Sequence, residues 1–145
     1  MGTIQSIVIR PEKKGPTVHL QEAVIHSQGI EGDHFVRPET QRSVTLVSAR
    51  DLAEAAAAVG FEGDAHAACR RNILVDDFPE ADMVGKRIAL GDEVLLEVTC
   101  YCFPCKRMDE NFGEGGVKAL DMKAGWGAIV LREGKIRVGD AYRVL

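Results

Sequence analysis

Three of the four cysteines fall in one short run, Cys100-Tyr101-Cys102-Phe103-Pro104-Cys105, and the fourth is Cys69. Such a cluster has three chemistries open to it: dithiol redox exchange, metal binding and nucleophilic sulfur. Cys102-Phe103-Pro104-Cys105 has C-x-x-C spacing. The dithiol reading also wants the first Cys at a helix N-terminus after a βαβ unit, and the preceding segment reads as a hairpin instead. A structural zinc site would join these thiols to Cys69 or a His. Zinc sites take ligands in paired knuckles, and the chain holds one such pair. Cys100 and Cys102 read equally as small core residues, since free Cys is among the most buried types. Cys105 differs. It follows Pro104 and precedes Lys106-Arg107, two cations that favour a thiolate able to attack sulfur, carry a persulfide or bind a soft metal.

Two further groups can do chemistry. Arg70-Arg71-Asn72 offers two planar forks of donors and an amide, the equipment for an anion such as phosphate, although a solvated turn would look the same. Gly29-Ile30-Glu31-Gly32-Asp33-His34 pairs glycines with an Asp and a His that either bind a ligand or cap a turn. It lacks the spacing of a nucleotide loop. A partial echo, Gly60-Phe61-Glu62-Gly63-Asp64-Ala65-His66, reads as similar turn chemistry rather than a repeat architecture. His19, His26 and His66 have no metal-ligand spacing, and Trp126 between two glycines reads as a packing anchor.

The elements that must position these residues are mostly strands. Residues 3–10 and 17–26 read as a hairpin across the turn composition of residues 11–16. Arg42 to Val47 reads as a strand. Ser48 then caps an alanine-rich helix over 49–59, closed by Gly60. Asn72 to Val75 is a short strand. Lys86 to Leu90 and Glu93 to Cys100 pair across Gly91-Asp92. In the second of these, Val94, Leu96, Val98 and Cys100 share one face, Cys102 extends that face, and Pro104 ends the strand. One or two short helices fall within 107–122. Ala128 to Arg132 and Lys135 to Val138 are read as a hairpin about Glu133-Gly134, followed by a strand over Ala141 to Leu145. The expected class is mainly β, a closed or partly open barrel with a few flanking helices.

Composition bounds the function. The 145 residues carry 18 Lys and Arg against 22 Asp and Glu, a formal net charge of −4. One domain over 1–145 is expected, with a core that needs no metal or disulfide. The acidic balance argues against a nucleic-acid backbone as partner. No apolar run is long enough for a bilayer, and the N-terminus lacks the pattern of a signal peptide, so a cytoplasmic protein is expected.

Taken in order, several segments resemble the MOSC domain, named for the C-terminal domain of molybdenum-cofactor sulfurases. They are Gly29 to His34, Arg42 to Ser48, Arg71-Asn72-Ile73, Val84 to Gly91, Leu96 to Thr99 leading to Pro104-Cys105, and Gly134 to Asp140. Together they span nearly the whole chain, roughly residues 3–145. The resemblance implies a closed barrel of the pyruvate-kinase-barrel type that handles the molybdenum cofactor (molybdopterin). It implies that Cys105 ligates molybdenum or carries sulfur as a persulfide, and that Arg71 and Asn72 hold the pterin and its phosphate. Arg42, Lys106 and His34 are further candidates for the wall that holds the anion. Larger relatives are oxidoreductases that reduce N-hydroxylated compounds, or sulfurases carrying a pyridoxal-phosphate-dependent desulfurase module. No such module is expected here, so a cysteine desulfurase or a redox protein would be a partner. The alternatives are a barrel that serves as a binding or regulatory module with structural cysteines, and a structural zinc protein.

Overall fold

The computed structural model describes residues 2–34, 42–104 and 106–145. Its strands are β1 (Gly2–Ile9), β2 (Val18–Leu20), β3 (Glu22–His26), β4 (Gly29–Ile30), β5 (Val44–Ser48), β6 (Ile73–Val75), β7 (Arg87–Leu90), β8 (Val94–Tyr101), β9 (Trp126–Arg132), β10 (Gly134–Arg137) and β11 (Ala141–Val144). The helices are α1 (Ala49–Val59), α2 (Ala65–Cys69), α3 (Arg107–Phe112) and α4 (Gly116–Ala119). The fold is mainly β. Strands run in the order β11-β7-β8-β9-β5-β6-β1, and β1 pairs back onto β11, which closes a barrel; β2 adds to the outside of β1. Among the described pairs β5–β6 is parallel and the others are antiparallel. The parallel step needs a crossover, which α1 and α2 supply.

Alternation builds the barrel interior. Val94, Leu96 and Val98 of β8 are buried with Ile4 and Ile7 of β1, Val44 and Leu46 of β5, and Ile88 and Leu90 of β7. A register shift between Val98 and Cys100 breaks the alternation, so Cys100 is half-buried and Cys102 fully buried. β5 is buried on both faces. Val47 points away from the barrel into a second core with Leu52, Ala55, Cys69, Met108, Phe112 and Leu120, where the helices cover the wall. Trp126 anchors the seam, edge-on to Tyr101 at 5.4 Å and to Phe78 at 6.5 Å.

Ser48 caps α1 as expected, accepting from the Asp51 N–H at 3.1 Å, and Gly60 closes it at φ 70°. Two expectations change. Residues 17–26 are not one strand. β2 pairs with β1, but after Gln21 the chain leaves for a second sheet, β10-β3-β4, whose Ala23, Ile25, Ile30 and Ile136 are buried with the barrel core. Glu133-Gly134 is not a hairpin turn either. β9 pairs with β8 and β5, whereas β10 pairs with β3. Gly134 is required for a different reason: a Cβ there would lie 2.4 Å from the Glu93 Cβ, so only glycine lets the two segments cross.

Among the described residues no helix is long and apolar enough to cross a membrane.

Candidate functional site

A cleft of about 540 Å³ opens where β1 ends, α2 ends and α3 begins. Arg10, Lys14, Arg70, Arg71, Lys106 and Arg107 line it, against one carboxylate, Glu110. A protein of net charge −4 thus places six of its 18 Lys and Arg residues around one site. Each arginine is placed by a separate device.

Arg10 follows β1 directly, and Asp33 holds it. The Arg10 backbone N–H donates to Asp33 Oδ1 at 2.6 Å, Nε to the same oxygen at 3.2 Å, and one terminal nitrogen to Oδ2 at 2.8 Å. The pair is nearly buried, with side-chain exposures of 11% and 2%. His34 adds to the hold: its backbone N–H and its Nδ1–H both donate to the Arg10 carbonyl, at 2.8 and 2.7 Å. Gly32 makes the tight turn between them at φ 90°. The Gly29-to-His34 motif is therefore a clamp on a cleft arginine.

Arg70 caps α2 in the left-handed conformation, φ 59°. Its guanidinium donates to the Gly15 carbonyl at 2.6 Å and to those of Glu12 and Lys13 at 3.3 Å; Arg107 donates to the Lys13 carbonyl at 3.1 Å. The charged turn 11–16 is thereby tied across the cleft by backbone carbonyls, which accept without neutralising. Burial, then the neighbouring charges of Arg107 and Arg10, holds the Arg70 guanidinium below its usual range, though Asp33 opposes them. Crowded cations of this kind are relieved by an anion.

Arg71 is buried at the back. Its Nε donates to the Ala124 carbonyl at 2.8 Å and a terminal nitrogen to the Phe103 carbonyl at 3.3 Å. No carboxylate among the described residues pairs with it. Its own carbonyl accepts from His66 Nε2–H at 2.8 Å, and His66 Nδ1 accepts the Ser6 hydroxyl proton at 2.8 Å. Burial pushes the His66 imidazole down to about 4, so it is neutral near pH 7 and its tautomer is set by the carbonyl it faces.

Arg71 and Lys106 thus meet in the cleft, and His34 reaches it through Arg10. Asn72 does not line it. Its Oδ1 accepts the Thr45 N–H and hydroxyl at 3.1 and 3.0 Å and its Nδ2 donates to the Val8 carbonyl at 3.2 Å, so the amide ties β1, β6 and β5 together behind Arg71. Arg42 does not line it either and donates to Cys102 Sγ at 3.7 Å. Cys105, the expected working thiol, lies outside the described residues. Cys69 borders the cleft but is buried, its thiol donates to the His66 carbonyl at 3.2 Å, and burial pushes it up to about 11, which keeps it protonated. Among the described residues no three His, Cys, Asp or Glu side chains come together to hold a metal ion. Arg10, Lys14 and His66 are not marked by the sequence as site residues, whereas Arg70 stands in the Arg70-Arg71-Asn72 anion group. Arg10 and Lys14 carried one usable signal, cations at the exit of a strand into a turn; His66 carried none, because its role depends on contacts distant in sequence.

The sequence matches the MOSC domain profile over residues 17–143. No curated protein sequence matches it significantly. Among solved structures, the YuaD protein of Bacillus subtilis superposes with a TM-score of 0.85 at 19% identity, covering 99% of this chain and 94% of that one. YiiM from Geobacillus stearothermophilus gives 0.79 at 18% identity, covering 100% and 75%. YiiM from Escherichia coli gives 0.73 at 17%, covering 100% and 70%. These likenesses establish a shared fold.

Proposed function

The chain belongs to the MOSC domain family, and from that premise we propose that it binds the molybdenum cofactor in the basic cleft and uses Cys105 as the thiolate that ligates the metal or accepts sulfur. The observation that carries this reading is the donor set: six cationic side chains around about 540 Å³, with one carboxylate among them. A phosphorylated pterin is a flat polyanion that needs fixed donors, and guanidinium forks held by backbone carbonyls keep their charge for it. Described residues on both sides of Cys105 belong to this site, since Phe103 gives its carbonyl to Arg71 and Lys106 lines the cleft.

Each residue then has a task. Arg71, held from behind by Ala124 and Phe103, fixes the phosphate; Arg70 and Arg107 neutralise its charge and exclude other cations, and Arg10, already paired with Asp33, lines the wall. Lys106 favours the thiolate form of Cys105. The bound cofactor would supply a redox-active metal centre. In sulfur transfer, the Cys105 thiolate attacks the outer sulfur of a desulfurase persulfide. A new S–S bond forms on Cys105 as the donor's S–S bond breaks, and the donor leaves as a thiolate.

The test is the metal and pterin content of protein purified from a host that makes the cofactor, with mass spectrometry of Cys105. Molybdenum and pterin near one equivalent, or a persulfide on Cys105, is the expected result. The reading fails if neither is found, if Cys105 alkylates no faster than a free thiol, and if Cys105→Ala and Arg71→Ala leave binding of added cofactor unchanged.

A further inference from the structure

β6 runs from the basic cleft to an acidic one. Arg71 and Asn72 precede it; Asp76 and Asp77 follow it, at the mouth of a second cavity of about 350 Å³ that shares no lining residue with the first. Gly2, Phe78, Pro79 and Tyr142 complete most of its wall.

Tyr142 is the anomaly. It is 3% exposed, and its hydroxyl is the one buried side-chain polar atom among the described residues that has no hydrogen-bond partner. Leaving such a group unpaired costs about 1–3 kcal/mol, so a native structure that keeps one calls for an explanation. Phenylalanine would fill the same space between Gly2 and Leu90, the residues opposite Tyr142 on the flanking strands. Burial first, then the charges of Asp77 and Asp76, pushes the Tyr142 phenol up, so it stays a neutral hydroxyl within the field of two carboxylates.

Both carboxylates stay ionised. Asp76 accepts the Thr3 N–H at 3.0 Å and the Thr3 hydroxyl at 3.3 Å, which holds it below the usual range. Asp77 is lowered too: burial opposes this, but the Phe78 N–H at 2.8 Å, the Arg50 guanidinium at 3.2 Å and the Ser48 hydroxyl at 3.1 Å outweigh it. Arg50 approaches from outside and does not line the cavity. The Phe78 ring stands edge-on to Tyr142 at 6.4 Å, so two aromatic rings border the two negative charges.

We propose that this cavity is a binding site for a small organic ammonium ion, whose N–H groups are received by Asp76, Asp77 and the Tyr142 oxygen while its carbon part lies against Phe78 and Pro79. Carboxylates exclude an anion. The Asp pair brings no third ligand of the kind a metal needs among the described residues. Aromatic rings in the wall beside a carboxylate pair favour a cation with apolar surface, and the volume suits a small molecule. The proposal is independent of what the basic cleft binds.

Benzylammonium tests it, followed by amide shifts in a heteronuclear NMR titration of the full chain, with benzyl alcohol and benzoate as matched controls. Saturable shifts of Gly2, Asp77, Phe78 and Tyr142 by benzylammonium are expected, with benzyl alcohol weaker by about tenfold or more and benzoate inert. Tyr142→Phe should weaken benzylammonium severalfold without lowering the melting temperature, because the hydroxyl has no partner to lose. The proposal is overturned if those amides do not move, or if the alcohol binds as well as the ammonium. It is overturned equally if Tyr142→Phe melts several degrees lower, which would show the hydroxyl already satisfied by a structural water.

Discussion

Asp33 grips Arg10 three times, through its backbone N–H and two guanidinium nitrogens, at 2.6 to 3.2 Å in a nearly buried setting. The geometry matters more than the charge product. An exposed ion pair contributes little, but removing one partner of a buried pair leaves the other desolvated and unpaired. Asp33→Asn should therefore cost about 3–5 kcal/mol in urea unfolding. A loss below about 1 kcal/mol would mean that Arg10 has water as an adequate substitute. The same variant should weaken anion binding in the cleft, because Arg10 would no longer be aimed.

Arg71 offers a cleaner probe of that cleft. Pyrophosphate titrated by calorimetry at low salt should bind Arg71→Ala about ten- to a hundredfold more weakly than the parent, the range of a lost charge-assisted hydrogen bond. Arg71→Lys should recover only part of this, since an ammonium cannot donate both to Ala124 and Phe103 and to a bidentate anion. Affinity of the parent should fall as ionic strength rises, since Lys14, Lys106 and Arg107 act partly through solvent. Salt-independent binding, or an alanine variant that binds as the parent does, would place the anion elsewhere.

His66 ties stability to pH. Folded, it titrates at about 4, below the 6.5 of a free imidazole, because burial disfavours its charged form. The unfolded chain then holds more protons between these two values, and stability rises with pH across that window. The contribution is complete above about pH 6.5 and is lost as pH falls toward 4; a shift of this size amounts to about 3 kcal/mol. Urea midpoints measured from pH 4 to 7 should show the slope in the parent and a shallower one in His66→Gln. Parallel curves would mean that His66 is hydrated in the folded state.

The barrel was largely legible because local rules agree with the final packing. Ser48, the alanine run and Gly60 specify α1 without help, and the alternation in β8 survives until the shift at Val98. The basic cleft was half legible. Arg71, Lys106 and Arg107 stand near Cys105 or in a cationic pair, so the sequence alone suggests a pocket. Arg70 stands beside Arg71 in the sequence, but Arg10 joins them only through a carboxylate contributed by a distant segment. Asn72 shows the opposite error: an amide beside two arginines looks like a ligand, but the parallel β5–β6 step needs it to bridge strands. Asp64 caps α2 through the Ala67 N–H at 3.1 Å, and Asp33 clamps Arg10; the two similar motifs diverge because their neighbours differ.

Gly134 stands where two segments cross and not in a turn. Sequence favours a hairpin there because glycine tolerates positive φ, yet Gly134 is absent from the positive-φ residues, and its Cβ position is blocked by Glu93 Cβ at 2.4 Å and Val94 Cγ2 at 3.3 Å. The cost of a side chain is thus steric and lies between β9's exit and the start of β8. Gly134→Ala should destabilise by about 1–3 kcal/mol, the range for overpacking a tight contact. Glu93→Ala should not relieve it, because the clash is with the Cβ that alanine retains; Glu93→Gly in the same chain should recover part of it. A turn requiring left-handed backbone would behave differently. There Gly134→Asn would be tolerated and neither Glu93 substitution would matter. Thermal melts of the four variants against the parent separate the two causes.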